Sequence, residues 1–198
     1  IIFSCMVQSV SSSVAKAAKP LLWIGMVSMA MAFAGLTSGY VVARSALVAK
    51  GQWVEVPLPR AFWASTALVL LGSFLVHRAL RAAQENRTKQ VKSLLVAAVG
   101  VGFLFLVSQV VGGREVLAQG YYFTGPKSTQ AGSWLYVIAW FHWMHALAGV
   151  FVLAYTWRQS LRGAYSSSRF GGLERTALFW HFLDGLWIYL VLFLAFLR

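Results

Sequence analysis

The chain has 198 residues, 59% of them hydrophobic and only 11% charged, with a formal charge of +12 at pH 7. Soluble domains are about a quarter charged, and the deficit here falls in long uncharged runs, which excludes a water-soluble globular protein. The basic excess sits mostly in short connections beside those runs, a placement that suits anionic lipid headgroups better than nucleic acid.

Residues 1–20, "IIFSCMVQSVSSSVAKAAKP", form a Ser/Ala-rich tail whose apolar start is too short to span a bilayer. Its two lysines follow that start instead of preceding it, unlike a cleavable signal peptide. With Ile at position 1, the encoded start is expected to lie elsewhere. Cys5 is the single cysteine, which leaves no partner for an intramolecular disulfide or a thiolate metal cluster.

Five segments then reach the roughly 20 apolar residues that a membrane helix needs: about 21–43, 61–79, 93–111, 132–157 and 177–197. Their length and Ala/Leu/Gly content predict helices, since barrel strands are about ten residues long and alternate. The expected fold is all-α, a single bundle of five transmembrane helices over 21–198. Lys/Arg counts are 2, 5 and 4 for the tail and the second and fourth connections, against 3, 2 and 1 for the other side. The positive-inside rule therefore predicts a cytoplasmic N-terminus and an outside C-terminus. Trp23, Trp157 and Trp180 fall near predicted inner ends, and Trp63 and Trp134 near outer ones, as an interfacial belt would. In the first span Gly35 and Gly39 are one turn apart, a small-residue spacing that permits close helix packing.

Four ionisable side chains lie inside the spans: His142, His145, His181 and Asp184. Polar groups at membrane depth are costly and usually face protein, so each is a candidate site. His142 and His145 share one face of the fourth helix, and His181 and Asp184 one face of the fifth. At 1.5 Å per residue His145 lies ~18 Å and Asp184 ~10 Å from the inner ends of their spans. A His–Asp hydrogen bond between the two helices is expected, because an unpaired buried carboxylate tends to take up a proton. Three readings stay open: a structural hydrogen-bond network, a haem or metal site, and a proton or ion path.

The same residues carry a resemblance. "FHWMHALAG" at 141–149 resembles an F-H-G-L-H-V-x-x-G element, matched by Phe141, His142, His145 and Gly149. "WHFLDGLW" at 180–187 resembles W-H-F-V-D-V-V-W, matched by Trp180, His181, Phe182, Asp184 and Trp187. In order and in consecutive helices, the two motifs are similar to those of subunit III of haem–copper terminal oxidases, in the short five-helix bacterial form. Trp23, Ser28, Met31, Phe33, Ala34, Leu36 and Tyr40 match that family's helix before the first connection. Met29 departs from it, standing where the family has a buried glutamate, so no carboxylate-dependent proton role is carried over.

The resemblance implies a non-redox accessory subunit of a respiratory oxidase, most naturally a cytochrome c oxidase that reduces oxygen to water and pumps protons. Haems and copper would reside in partner subunits, with no metal and no catalytic residue in this chain. It implies docking onto the catalytic subunit I, bound phospholipid, support of proton uptake, residence in the bacterial plasma membrane and possible membership of a larger supercomplex. Ser28, Ala32, Gly35 and Gly39 are the interface candidates; packing within the subunit is the alternative use for them. Arg44, Arg60, Arg78 and Arg158, at span ends, are candidate contacts for lipid phosphates, or simply snorkel. Two other classes remain: a stand-alone membrane haem protein using His142 or His145 with His181, and a small proton-coupled transporter using Asp184 and the histidines.

Overall fold

The computed structural model describes residues 2–126, 128–163, 165 and 170–197, with side chains from residue 17 onward. Cys5, Lys16, Lys127, Arg169 and Arg198 lie outside the described side chains. Five helices follow in order: α1 Ile2–Val48, α2 Arg60–Gln84, α3 Thr88–Ala118, α4 Gln130–Leu161 and α5 Gly171–Phe196. Each contains a stretch long and apolar enough to cross a membrane.

All five expected spans are present, and the helices extend past them. Nothing in a helix must stop at the bilayer surface, so the backbone continues until a residue leaves helical φ/ψ. Asn86 (φ 58°) after α2 and Gly163 (φ 73°) after α4 adopt the left-handed conformation that closes a helix. At the other end of α4, Thr129 caps by accepting a hydrogen bond from Gly132 N at 3.2 Å. The segment read as a tail is helical from Ile2 and joins α1 without a break through Pro20; its Ala and Ser residues do not oppose a helix once one is nucleated downstream.

Among the described residues, α2, α3, α4 and α5 form a closed ring, in which each packs against the next and α5 returns to α2. α1 stands outside this ring and, of the other helices, touches only α4 and α5 among the described residues. An apolar cluster of Val56, Val116, Ala131 and Leu135 closes one end. Ala79, Ala82, Ala83, Val91, Leu95 and Leu173 close the other. Lys19 and Glu174, both at the latter end, pair at 3.4 Å across exposed surface, so the start of the apolar stretch of α1 at Ala17 and the start of α5 share a side, as the alternating topology requires.

The ring is centred on one indole. Trp180 is 3% exposed and is met by glycines from the other three ring helices. A Cβ on Gly102 of α3 would stand 2.9 Å from its ring, and Cβ atoms on Gly72 of α2 and Gly149 of α4 would stand 3.4 and 3.6 Å away. The expectation that Trp180 belongs to an interfacial belt is therefore corrected. α5 begins at Gly171, so Trp180 lies more than two turns inside the helix, and its side chain points inward, where a glycine on each of three helices leaves room for it. Trp23 and Trp63 are exposed at 51% and 53%, as a belt requires. Trp134 packs on Gly39, whose Cβ would meet its ring at 2.8 Å.

Candidate functional site

The four intramembrane ionisable residues divide into two environments. His142, on α4, is 1% exposed and lies in an aromatic box. Its ring centroid is 5.2 Å from Trp187 of α5, 6.1 Å from Phe105 of α3 and 6.1 Å from Phe33 of α1. Its Nδ1 has no hydrogen-bond partner among the described residues. His145, one turn on, turns back on its own helix, with Nδ1 2.7 Å from the Phe141 carbonyl oxygen. That pairing satisfies a donor locally and leaves the ring against Phe33 at 5.7 Å and Phe141 at 4.8 Å.

His181 and Asp184 face α2 instead. Ser73 Oγ of α2 lies 2.5 Å from His181 Nδ1, and His77 of α2 places its ring 6.4 Å from that of His181. Ser73 is also the polar neighbour of Asp184, which is 6% exposed and has Oδ2 without a hydrogen-bond partner among the described residues. The hydrogen bond expected between a histidine of α4 and Asp184 is not formed. α4 and α5 do pack together, but the closure of α5 onto α2 turns the polar stripe of α5 away from that of α4. The ring contacts of His142 are with Phe33, Phe105 and Trp187, whereas those of His181 are with Ser73 and His77 of α2. No group of three or more His, Cys, Asp or Glu side chains is arranged to hold a metal ion among the described residues.

Helix-to-helix polar links exist, carried largely by other side chains. Trp187 Nε1 donates to Thr66 Oγ1 of α2 at 3.2 Å. Trp143 Nε1 donates to the Leu106 carbonyl of α3 at 3.1 Å. Thr156 and Thr176 join α4 to α5 at 2.8 Å. Tyr189 OH donates to Thr37 Oγ1 at 3.1 Å and Tyr40 OH to the Leu197 carbonyl at 2.9 Å, holding α1 on α5. Ser, Thr and aromatic N–H or O–H groups are common in membrane helices, so no sequence signal separated these from their neighbours. Their worth is about 0.6 kcal/mol each in a bilayer.

The family-motif residues now have physical roles. Gly149 admits Leu183, whose Cδ1 would lie 2.6 Å from a Cβ there. Trp187 is 1% exposed and stacks edge-on with Phe62 and Phe105 at 5.2 and 5.4 Å. Phe141 packs against the cluster of Phe33, Tyr40, Ile138, Leu190 and Leu194, as does Met29; Phe182 is half-buried on α5. Of the interface candidates, Ser28, Ala32 and Gly35 are exposed, whereas Gly39 is used within the chain under Trp134. Arg60, Arg78 and Arg158 are exposed and Arg44 is half-buried. Arg78 sits 5.6 Å over the Phe74 ring.

Because His142 makes no bond through Nδ1 and its ring contacts are aromatic, His142→Leu is expected to leave thermal unfolding in mild detergent within about 1 kcal/mol of the parent. Removing an unpaired buried polar atom offsets the lost ring contacts. A loss above about 3 kcal/mol would show that the imidazole is hydrogen-bonded in the folded protein.

Fold and site define a polytopic helical membrane protein whose interior polar side chains link helices around a glycine-lined tryptophan. The chain belongs to the cytochrome c oxidase subunit III family, whose model matches residues 48–197. It is 26% identical over 173 residues to cytochrome c oxidase subunit 3 of Thermostichus vulcanus, covering 85% of this chain and 82% of that protein. It is 27% identical over 169 residues to the Synechocystis cytochrome c oxidase subunit 3, covering 80% and 66%. A probable cytochrome c oxidase subunit 3 of Mycobacterium tuberculosis is 24% identical over 181 residues, covering 90% and 86%. Membership makes the chain an accessory, membrane-spanning subunit of a cytochrome c oxidase, associated with the other oxidase subunits.

Proposed function

We propose that this chain braces the catalytic subunit of a bacterial plasma-membrane oxidase and supports its proton uptake while holding no redox centre itself. The exposed face of α1 is the observation that carries the docking. Of the other helices α1 leans only on α4 and α5 among the described residues, and Ser28, Ala32 and Gly35 lie one turn apart on its exposed surface. Small residues let a second helix approach closely, and lipid does not reward that approach, so a partner helix fits the face best. Thr37 and Tyr40 hold the opposite side of α1 inside the subunit, and further along the same stripe Gly39 is covered by Trp134.

In this reading the buried imidazoles and Asp184 serve helix packing, and the haems and copper reside in partner subunits. Arg44, Arg60, Arg78 and Arg158 meet lipid phosphates at the span ends.

The test is a mild-detergent pull-down through this chain, with an optical spectrum of the co-purifying haem. A Cβ on Gly35 meets nothing within 4 Å, so Gly35→Trp is expected to leave the isolated fold intact. If a helix docks there, the indole clashes with it, and co-purified haem should fall at least tenfold. Full haem recovery with Gly35→Trp would refute docking through this face. Absence of haem with the parent chain would refute membership of an assembled oxidase.

A further inference from the structure

Around residue 185 the outward face of α5 is bare. Gly185 is exposed, and a Cβ there would meet nothing within 4 Å. One turn before it, His181 leans to α2, where its Nδ1 lies 2.5 Å from Ser73 Oγ. One turn after it, Tyr189 leans to α1, where its OH donates to Thr37 Oγ1 at 3.1 Å. The two side chains that flank Gly185 on its own helix face are thus drawn to opposite sides. A furrow is left along α5 between α2 and α1. Its α2 wall carries His77, exposed one turn from Ser73, and its α1 wall carries Ala34 and Val41, exposed one turn either side of Thr37.

The furrow holds a polar group that this chain does not satisfy. A neutral imidazole has one donor and one acceptor nitrogen, so with Nδ1 on Ser73 the Nε2 of His181 needs a partner of its own. Among the described residues the ring makes no second hydrogen bond, and His77 holds its ring 6.4 Å away, centre to centre. His181 stands ~15 Å along α5 from its start at Gly171, inside the apolar stretch. Hydrocarbon offers neither donor nor acceptor, and ionisable side chains at membrane depth face protein.

We infer that this furrow seats a transmembrane helix of another oxidase subunit, which crosses α5 at Gly185 and sets a hydroxyl or carboxamide side chain on His181 Nε2. Two independent features select that occupant. A glycine on the contact line lets two helix backbones approach closely, and lipid gains nothing from that approach. A hydroxyl or carboxamide both donates and accepts, so it serves His181 in either tautomer, whereas an acyl chain serves neither. Ala34 and Val41 lie on a different face of α1 from Ser28, Ala32 and Gly35. The inference rests on membership of an oxidase complex and is independent of whether that small-residue face docks.

The test is photocrosslinking in the detergent-purified complex, with benzoylphenylalanine in place of Leu192, which is exposed two turns beyond Gly185 on the same face of α5. The expected adduct is a membrane-spanning peptide of another subunit, with Ser, Thr, Asn or Gln about three turns further in. Adducts to lipid alone would overturn the assignment, and a span with none of those residues at that level would overturn the bond to His181. Gly185→Trp fills the furrow and touches nothing else in this chain. The full chain should keep its unfolding midpoint, while the crosslinked subunit is lost from the complex about tenfold. His181→Phe keeps a ring and removes Nε2, and is expected to weaken retention of that subunit about threefold. Ser73→Ala breaks the same internal bond but spares Nε2, so it should retain the subunit. Full retention of every subunit by Gly185→Trp would refute docking here, whatever Gly35→Trp does.

Discussion

Trp180→Ala is expected to lower the stability of the bundle by about 3 kcal/mol, the lower end of the range for large aromatic deletions. The reason for the lower end is the solvent. In water such a deletion loses transfer free energy as well as packing. In a bilayer the unfolded helices already sit in hydrocarbon, so the packing and cavity contributions dominate. Trp180 is the contact shared by all four ring helices: it belongs to α5, and Gly72, Gly102 and Gly149 bring α2, α3 and α4 up to its ring. Its removal leaves a void bounded by glycine backbone, which has no side chains to collapse into the space. Against a total of 5–15 kcal/mol for a typical domain, that loss should show as a large drop in the unfolding midpoint on heating or SDS titration. A midpoint within 1 °C of the parent would mean that the ring helices are held together elsewhere.

Gly102→Ala and Gly100→Ala, two residues apart on α3, are expected to shift stability in opposite directions. Alanine is favoured over glycine in a helix interior by up to about 1 kcal/mol. At Gly100 a Cβ meets nothing within 4 Å, so the substitution should raise the unfolding midpoint. At Gly102 a Cβ would stand 2.9 Å from both Trp180 Cη2 and Val150 Cγ2. Both neighbours are themselves buried, and overpacking of this kind costs about 1–3 kcal/mol, which exceeds the helix-propensity gain. The midpoint should fall. A rise in both variants would show that α3 can move away from Trp180 and Val150 at no cost, contrary to a tightly packed ring.

Much of this architecture was legible in the residues alone. A bilayer requires about 20 apolar residues per crossing and satisfies the helix backbone internally, so number, type and order of the five helices followed from the uncharged runs. The paired motifs at 141–149 and 180–187 were legible for a different reason. Histidine, aspartate and clustered tryptophan are rare in such runs, and their spacing stands out against Leu, Val and Ala. The neighbourhoods were not legible. Periodicity places His181 and Asp184 on one face of α5, yet it does not say whether that face meets α2 or α4; the closure of the ring decided for Ser73 and α2. The small residues of α1 share one face but have two fates, with Gly39 under Trp134 and Gly35 exposed, because the level along α1 that a neighbouring side chain reaches is a property of the assembled packing. Gln109 gave no signal whatever in the chain, since an amide in a span reads as one polar residue among many. Only the folded protein shows that neither end of its amide has a hydrogen-bond partner among the described residues. Local chemistry determined which segments cross the membrane and which side chains are out of place there; the angular setting of five helices, a balance of many weak contacts among distant residues, decided what each of those side chains meets.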